Sequence, residues 1–257
     1  MPRILLAVGA VLCAVSAVAQ STIVIPRGLA TAEGNSTNSF PWGRGNSGLR
    51  LQNVYDSSHF TQQGITYPIL ITGLRWRPDT GTGLAPSTYP GNCQIRLSTC
   101  PVDHAAVTST MANNQGANLT LCYSGSVAWG AQAAQAGPTP FGIHVPFQTS
   151  FPYDPNLGDL NIETNLPIQT FSGSLPQLDT QTAAPQASRV FLSTGYPGNG
   201  IGTVVQNHGL VVEVEYTPAA GLFATFLADV TEGPSPLAVQ FTDYSYSSDP
   251  AGIASWA

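Results

Sequence analysis

Prolines and glycines interrupt this chain too often for long helices to form. Its 257 residues include 21 prolines and 26 glycines, spread over most of the length, and both residue types disfavour helix interiors. The uninterrupted runs are short and rich in β-branched and aromatic residues, and one piece, Val107–Asn114, has helical character. Short strands separated by turn-rich loops predict an all-β protein, an antiparallel β-sandwich of jelly-roll type. The predicted strands are Ser21–Ile25, Leu49–Tyr55, Ile69–Arg77, Gln94–Thr99, Asn118–Tyr123, Phe141–Phe147, Asp159–Thr164, Arg189–Ser193 and Leu210–Tyr216.

Two of these strands carry a further prediction. The apolar run of Ile69–Arg77 predicts a central strand, with a bulge at Gly73. Glu213 and Glu215 alternate with apolar residues on the last strand, and a solvated face is favoured for them over the carboxylate pair of a glycosidase.

The stretch from Pro146 to Glu163 gives the clearest local pattern. A strand is predicted to end near Phe151, followed by a turn over residues 153–158 that is rich in Asp, Pro, Asn and Gly. The next strand begins at Asp159 and alternates apolar with polar residues, which is typical of a half-buried antiparallel strand. We therefore expect an oxygen-rich rim at this turn.

The amino terminus has the pattern of a secretory signal peptide. A basic residue at Arg3 precedes an apolar run from Ile4 to Val18, and Ala17-Val18-Ala19 matches a cleavage site. The alternative is a membrane anchor, which requires about 18 to 20 uninterrupted apolar residues. We expect residues 1–19 to be removed, no other membrane span, and a secreted or cell-surface protein.

Three cysteines remain after removal of such a signal, namely Cys93, Cys100 and Cys122. If the segment from Cys93 to Cys100 is extended, at about 3.3 Å per residue its ends lie about 23 Å apart, too far for a disulfide. In an oxidising compartment Cys122 would then pair with one of the two, and Cys100 is the favoured partner. The alternative is three buried free thiols.

The charge balance argues against nucleic acid as a partner. Charged residues make up 9% of the chain, the net charge is −6, and no lysine is present. Nucleic acids and anionic membranes are bound by basic patches, which such a composition disfavours. An extracellular polysaccharide or a surface protein is the partner class left open.

The turn after the first strand of the 146–163 stretch also supplies candidate metal ligands. Asp154, Asn156 and Asp159 are oxygen donors within one turn, as are the carbonyls of Pro155 and Leu157. Calcium takes six to eight oxygen ligands, so calcium is the one candidate cofactor. The alternative is an ordinary Asx-type turn, in which Asp and Asn serve without a metal.

Aromatic residues on predicted loops are candidate ligand-binding residues. Trp42, Tyr153 and Tyr196 would offer ring faces on which a sugar stacks. The alternative for each is packing in the core.

No catalytic constellation is evident. Asp56 and His59, or Asp103 and His104, would be the start of an Asp–His arrangement, but no G-x-S-x-G motif accompanies them. The alternative for Asp56 is a turn cap. No catalytic residue is assigned, and the chain is expected not to be an enzyme.

Residues 223–257 resemble the start of a PKD domain, an immunoglobulin-like module of extracellular proteins. The resemblance rests on Gly233-x-x-Pro236-Leu237-x-Val239-x-Phe241-x-Asp243 and on the closing Ile253-Ala254-Ser255-Trp256. It implies a β-sandwich domain over 20–217, a linker over 218–222 and the first part of a PKD-like domain. Because the family's continuation would follow Ala257, we expect the sequence to be a piece of a longer protein.

The 20–217 segment also resembles a secreted bacterial domain found in proteins that carry exosortase-type (PEP-CTERM-type) sorting signals. The matching pieces, in order, are GLRLQNVYDSSHF, ITGLRWRPD, IRLSTC, FPYDPNLGDLNIE and SRVF, between Gly48 and Phe191. Asp159 replaces the family's usual Asn, and Asn161 interrupts its usual leucine run. The resemblance implies a non-catalytic, envelope-associated sandwich.

These observations favour a secreted, non-catalytic module for structure, adhesion or glycan binding. A second hypothesis is an accessory domain of a secreted hydrolase whose catalytic part lies outside this chain. A third, that the domain is itself a hydrolase, predicts Asp56 or Asp103 beside a histidine and a serine in a cleft.

Overall fold

The chain folds almost entirely into short antiparallel strands. The computed structural model describes residues 20–168, 171, 173–193, 200–224, 226–228, 233–243, 245–249 and 252–253. Strands account for 46% of the chain and helices for 8%, which confirms the all-β prediction. The strands are β1 Ser21–Ile25, β2 Ser36–Asn38, β3 Leu49–Tyr55, β4 Ile69–Trp76, β5 Ser87–Thr99, β6 Thr120–Trp129, β7 Ile143–Tyr153, β8 Leu160–Leu166, β9 Leu178–Gln181, β10 Ala187–Leu192, β11 Thr203–Val205, β12 Gly209–Leu210, β13 Val212–Pro218, β14 Leu222–Phe223, β15 Phe226–Ala228, β16 Phe241–Asp243 and β17 Tyr246–Ser247.

Helical structure is confined to single turns. One α-helical turn, α1, spans Ser58–Thr61, and 3₁₀ helices span Trp42–Ser47, His104–Ala106 and Met111–Asn114. The predicted helical piece at 107–114 is therefore helical only in its second half, and three other turns were not predicted.

The strands form two large sheets and three smaller ones. A six-stranded sheet has the order β11-β10-β3-β8-β5-β6, and a four-stranded sheet has the order β1-β13-β4-β7. A three-stranded sheet runs β12-β9-β2, while β14 pairs with β17 and β15 with β16. Every pairing between these strands is antiparallel.

The two large sheets share one hydrophobic core. Leu51, Leu97 and Ile162 of the six-stranded sheet belong to the same buried cluster as Ile71 and Leu74 of the four-stranded sheet. Since each sheet contributes one face to a common cluster, the arrangement is sandwich-like. The jelly-roll connectivity remains a prediction.

Strand β4 confirms one detail of the sequence pattern. It lies between β13 and β7 in its sheet, and its register with β7 shifts between Ile71 and Gly73. A glycine suits such an irregularity, because a bulge brings the backbone close to its neighbours. The predicted central strand with a bulge at Gly73 is thus present.

The 146–163 stretch joins the two large sheets rather than staying in one. Its first strand, β7, pairs with β4, whereas β8 pairs with β3 and β5. All seven residues of β8 are buried, so the prediction that this strand is half-buried was wrong. Its polar side chains face away from the main core, and the chain around Met111–Asn114 covers them.

The three cysteines are free thiols, and the predicted Cys100–Cys122 disulfide is absent from the structure. Cys93 and Cys122 belong to the main core, whereas Cys100 packs in a second cluster with Val54 and Met111. The sequence could not show that Cys100 and Cys122, the predicted pair, lie in different clusters.

The segment after β13 forms its own small pairings. Strands β14 to β17 pair only with one another among the described residues. Tyr246 stacks on Tyr67 of the preceding domain, with ring centroids 4.2 Å apart. The linker at 218–222 and the PKD resemblance remain predictions, and the predicted signal peptide lies outside the described residues.

Candidate functional site

The predicted calcium ligands take part in two different sets of hydrogen bonds. Asp154 Oδ1 accepts hydrogen bonds from the backbone N–H and the side-chain amide of Asn156, at 2.9 and 2.8 Å. Asp159 instead accepts from the backbone N–H groups of Ser57 and His104, at 2.9 and 2.7 Å. Asp154 and Asn156 therefore form an Asx-type turn, and Asp159 belongs to a different group of side chains. The calcium site at Asp154, Asn156 and Asp159 remains a prediction.

Asp159 joins Asp56, Asp103 and His104 in a compact cluster, here called the Asp–His cluster. Ligand atoms of these four side chains all lie within 4.8 Å of one another. His104 Nδ1 is 3.3 Å from an oxygen of Asp103, 3.4 Å from Asp56 and 3.8 Å from Asp159. The members come from the end of β3, the loop after β5 and the start of β8, so only the fold brings them together.

Backbone hydrogen bonds hold each carboxylate of the Asp–His cluster in place. Asp56 accepts from the N–H of Ser58 at 2.7 Å, and Asp103 caps its 3₁₀ turn through Ala105 at 2.7 Å. Such bonds stabilise the charged form of a carboxylate.

The carboxyl groups of the cluster differ in their electrostatics. Partial burial alone would raise the pKa of Asp56, but the hydrogen bonds from Ser58 and the nearby His104 together lower that pKa. The pKa of Asp159 is raised, mainly by burial and also by the negative charges of Asp56 and Asp103. One imidazole and three carboxylates supply donor atoms of the types that hold divalent cations.

The same cluster bears on the hydrolase hypothesis. Asp56 and Asp103 do lie beside a histidine, as that hypothesis predicts. However, no serine hydroxyl donates a hydrogen bond to His104 in the part of the chain that the structure describes. Without a nucleophile on the second ring nitrogen, the arrangement lacks the third member of a hydrolytic triad.

His59, the other histidine of the sequence pattern, has a structural role. Its Nδ1 accepts from the backbone N–H of Arg27 at 3.2 Å, and its Nε2 lies 3.1 Å from the carbonyl oxygen of Gln186. Burial lowers the pKa of His59 to about 4, so the ring is neutral at neutral pH.

Two of the aromatic candidates lie in the interior. Trp42 is fully buried and packs edge-on against Trp76, with ring centroids 5.3 Å apart. Tyr153 is also fully buried, and its hydroxyl donates to the Gly158 carbonyl at 2.9 Å. Neither ring is available for stacking on a ligand, so these two predictions were wrong, and Tyr196 lies outside the described residues. The sequence did not show that the Trp42 and Tyr153 side chains are packed in the core.

A cleft of about 490 Å³ lies along the outer edge of the four-stranded sheet. Strand β1 is the outermost strand there, and it contributes Thr22 to Val24 to the lining. The 138–141 segment and Gln63 also line the cleft. This volume is within the range of about 300 to 1,000 Å³ typical of small-molecule sites.

The cleft presents hydrogen-bonding groups beside apolar surface. Gln63 is exposed, and its Nε2 donates to the carbonyl of Val24 at 3.1 Å and to that of His59 at 2.7 Å. Because alternate residues of an antiparallel strand point their backbone groups the same way, Thr22 directs its N–H and C=O away from β13 as Val24 does. The Phe141 ring and the exposed Pro140 supply the apolar part.

Glu213 provides the carboxylate of the cleft. Its Oε2 lies 3.4 Å from Arg75 Nη1, and its side chain is partly exposed. Glu215, two residues later, is buried and contacts both Arg75 and His144, with its Oε2 3.0 Å from His144 Nε2. The expectation that both glutamates lie on a solvated face therefore holds only in part.

No sequence pattern predicted that the cleft residues lie close to one another. Gln63, Phe141 and Glu213 come from three distant segments, and no local spacing connects them. The run Pro138-Thr139-Pro140-Phe141 was the one available signal, because prolines beside an aromatic residue give a rigid, partly apolar surface.

In comparisons with protein-family models, curated proteins and solved structures, none matches this chain. Within the described ranges, no helix is both long enough and apolar enough to span a membrane.

Proposed function

We propose that this protein is a secreted, non-catalytic extracellular module that binds glycans in the cleft beside β1. The observation that carries the proposal is the composition of that cleft. It combines the carboxylate of Glu213, the amide of Gln63 and open backbone groups of Thr22 with the apolar surfaces of Phe141 and Pro140. Sugars present hydroxyl groups at their edges and C–H groups on their faces, so a site of this mixed character suits them.

The polar groups of the cleft retain hydrogen-bonding capacity for a ligand. Both hydrogen bonds recorded for the Gln63 side chain use its Nε2, which leaves Oε1 as an acceptor for a hydroxyl. Glu213 contacts Arg75 at a distance of 3.4 Å in a partly exposed setting, where such pairs contribute little. The carboxylate can therefore exchange this contact for a sugar hydroxyl at low cost.

The absence of a histidine–serine pair among the described residues supports a binding role over a hydrolytic one. Secretion rests on the signal-like amino terminus, and the envelope association rests on the family resemblance. Both belong to this proposal.

Binding of the purified protein to a panel of neutral polysaccharides, measured by affinity electrophoresis and calorimetry, tests the proposal. Gln63→Ala and Glu213→Gln are expected to weaken the binding of a retained polysaccharide by tenfold or more. Asn113→Ala, at an exposed residue of a 3₁₀ turn outside the cleft, is the matched control and should bind as the wild type does. The proposal fails if no polysaccharide is retained, or if the cleft variants bind as tightly as the control.

A further inference from the structure

Two arginines lie against one phenyl ring, and no carboxylate of the described residues lies within 4.0 Å of either. The guanidinium carbon of Arg44 is 5.2 Å from the centroid of the Phe40 ring, and that of Arg189 is 5.3 Å from the same centroid. Arg189 also lies 5.1 Å from the Phe191 ring. The two guanidinium groups are thus separated by no more than the sum of their distances to Phe40. We call Arg44, Arg189, Phe40 and Phe191 the Arg–Phe patch.

Three of the protein's other arginines have counter-ions that this patch lacks. Arg50, Arg75 and Arg77 each lie within 4.0 Å of a glutamate or aspartate oxygen, whereas no described carboxylate does so for Arg44 or Arg189. The chain has 14 acidic residues and 8 arginines, so acidic side chains are not in short supply. Arg44 and Arg189 lie against the same ring with no described acidic side chain within 4.0 Å of either. Together they form a local excess of positive charge.

Arg189 has donor groups without acceptors. Its Nε and Nη1 are shielded from solvent and make no hydrogen bond with any described residue. Burial lowers the pKa of the guanidinium to about 10, which still leaves it charged at neutral pH. Leaving a shielded, charged donor unpaired is costly, and an anion bound near the guanidinium offsets part of that cost through its charge.

His208 adds a further unpaired donor next to the patch. The Asn38 amide accepts from the backbone N–H of Phe40 at 2.7 Å, which turns its NH₂ group toward His208 Nε2 at 3.1 Å. Nε2 is then the acceptor, and the neutral ring carries its proton on Nδ1. That nitrogen is buried and has no partner among the described residues, and His208 itself is only 6% exposed.

His208 is also placed close to Arg189. Its backbone N–H donates to the carbonyl of Ala187, two residues before Arg189 on the same strand, at 3.0 Å. Burial lowers the pKa of His208 to about 4, and the positive charge of Arg189 contributes to that decrease. The unpaired donors of His208 and Arg189 therefore lie close to one positive charge, and an unpaired acceptor, Asn53 Oδ1, belongs to the residue opposite Arg189 on β3.

We propose that the Arg–Phe patch binds an oxyanion, namely a carboxylate or sulfate group of an acidic polysaccharide. Arg189 would donate through Nη2, because its Nε and Nη1 are shielded from solvent, and its positive charge would attract the acid group. Arg44 makes its hydrogen bonds to the carbonyls of Gly48 and Ser193 through Nε and Nη2, so its Nη1 is left for a second acid group. The exposed parts of the Phe40 and Phe191 rings would contact the sugar C–H groups. This site is separate from the cleft beside β1 and does not depend on glycan binding there.

The test uses the purified protein with oligogalacturonate as a carboxylate probe, dextran sulfate as a sulfate probe and uncharged dextran as the control, all by calorimetry at 50 mM salt. Arg189→Gln is expected to weaken binding of the preferred acidic probe by tenfold or more. Arg27→Gln removes the same charge away from the patch and should change the affinity by less than twofold. A preference for one acidic probe identifies the acid group.

A second measurement separates binding from folding. Arg189→Gln removes a charge that has no carboxylate counter-ion among the described residues. The variant is therefore expected to unfold at the same temperature as the wild type or higher, although it binds the acidic probe less tightly. Two results would overturn the proposal: neither acidic probe binds more tightly than dextran, or Arg27→Gln and Arg189→Gln lose affinity equally. Gln63→Ala and Glu213→Gln leave the patch intact. The cleft proposal can therefore fail without changing the result for the patch.

Discussion

Arg77 and Asp179 form an ion pair inside the protein, with Arg77 Nη2 2.6 Å from Asp179 Oδ2. Both side chains are almost completely shielded from solvent, at 1% and 0% exposed. Arg77 Nε contacts the same oxygen at 2.8 Å, and its Nη2 also donates to the Ala32 carbonyl. The pair connects the end of β4 to the three-stranded sheet, so it fixes how that sheet sits beside the four-stranded one.

Breaking this pair should strongly destabilise the protein. Arg77→Met leaves the Asp179 carboxylate buried without its cation, and such changes cost about 3 to 5 kcal/mol. Urea unfolding at pH 7 measures the loss. Glu213→Gln, which breaks a partly exposed pair with Arg75, is the control and should cost less than about 1 kcal/mol. Equal losses in the two variants would show that the burial of the Arg77 pair does not matter.

Glu163 should be the least replaceable residue of β8. It is fully buried, and its oxygens accept hydrogen bonds from Gln52 and Gln115 at 2.7 Å each, from Asn165 at 3.0 Å, and from Arg50. Glu163→Ala leaves the amide donors of Gln52, Gln115 and Asn165 without this acceptor and removes the carboxylate that faces Arg50, with an expected loss of about 3 kcal/mol or more.

Thermal and urea unfolding of Glu163→Ala and Gln115→Ala give the comparison. Gln115→Ala removes one donor from the network and keeps the other three, so a loss of about 1 kcal/mol is expected. If Glu163→Ala costs no more than Gln115→Ala, the network does not hold the 111–114 turn against the sheet.

Buried neutral histidines should make the protein sensitive to mild acid. The pKa of His59 falls from 6.5 to about 4 on folding, and that of His208 also falls to about 4. Between these values the unfolded chain binds more protons than the folded one, so stability is present above pH 6.5 and is lost as the pH falls toward 4. Each histidine contributes a slope of about 1.4 kcal/mol per pH unit within that window.

Urea unfolding at intervals between pH 7 and pH 4.5 measures this slope. His59→Gln keeps a donor toward Gln186 but does not titrate, so it should reduce the slope by about half the histidine contribution. An unchanged slope in His59→Gln would mean that His59 is already protonated in the folded protein.

Asp159 should connect two loops through their backbones. Asp159→Ala removes the acceptor for the N–H groups of both Ser57 and His104, with an expected loss of about 2 to 3 kcal/mol. Hydrogen exchange should become faster at those two amides first. Asp154→Ala, which disturbs only the turn with Asn156, is the control and should leave both amides protected.

The sequence by itself determined the all-β class and the limits of two strands, whereas β5, β6 and β7 extend beyond their predicted limits. The limits of β1 and β3 coincide with the predicted ones, and the bulge at Gly73 was predicted from the apolar pattern around it. These features are readable because alternation, proline and glycine act through neighbouring residues and backbone geometry. The all-β class follows from the same local signals.

Only the tertiary structure decided which faces are buried and which side chains meet. The polar face of β8 looked like a solvated rim, but the 111–114 turn covers it and Glu163 becomes a buried hydrogen-bonding centre. Trp42 and Tyr153 looked available on loops, yet both are in the core. Asp159 lies beside His104, and Arg44 and Arg189 both lie against the Phe40 ring. Strand pairing over large sequence separations brings these groups together. Such long-range pairing depends on the packing of the whole domain, which no local stretch of sequence encodes.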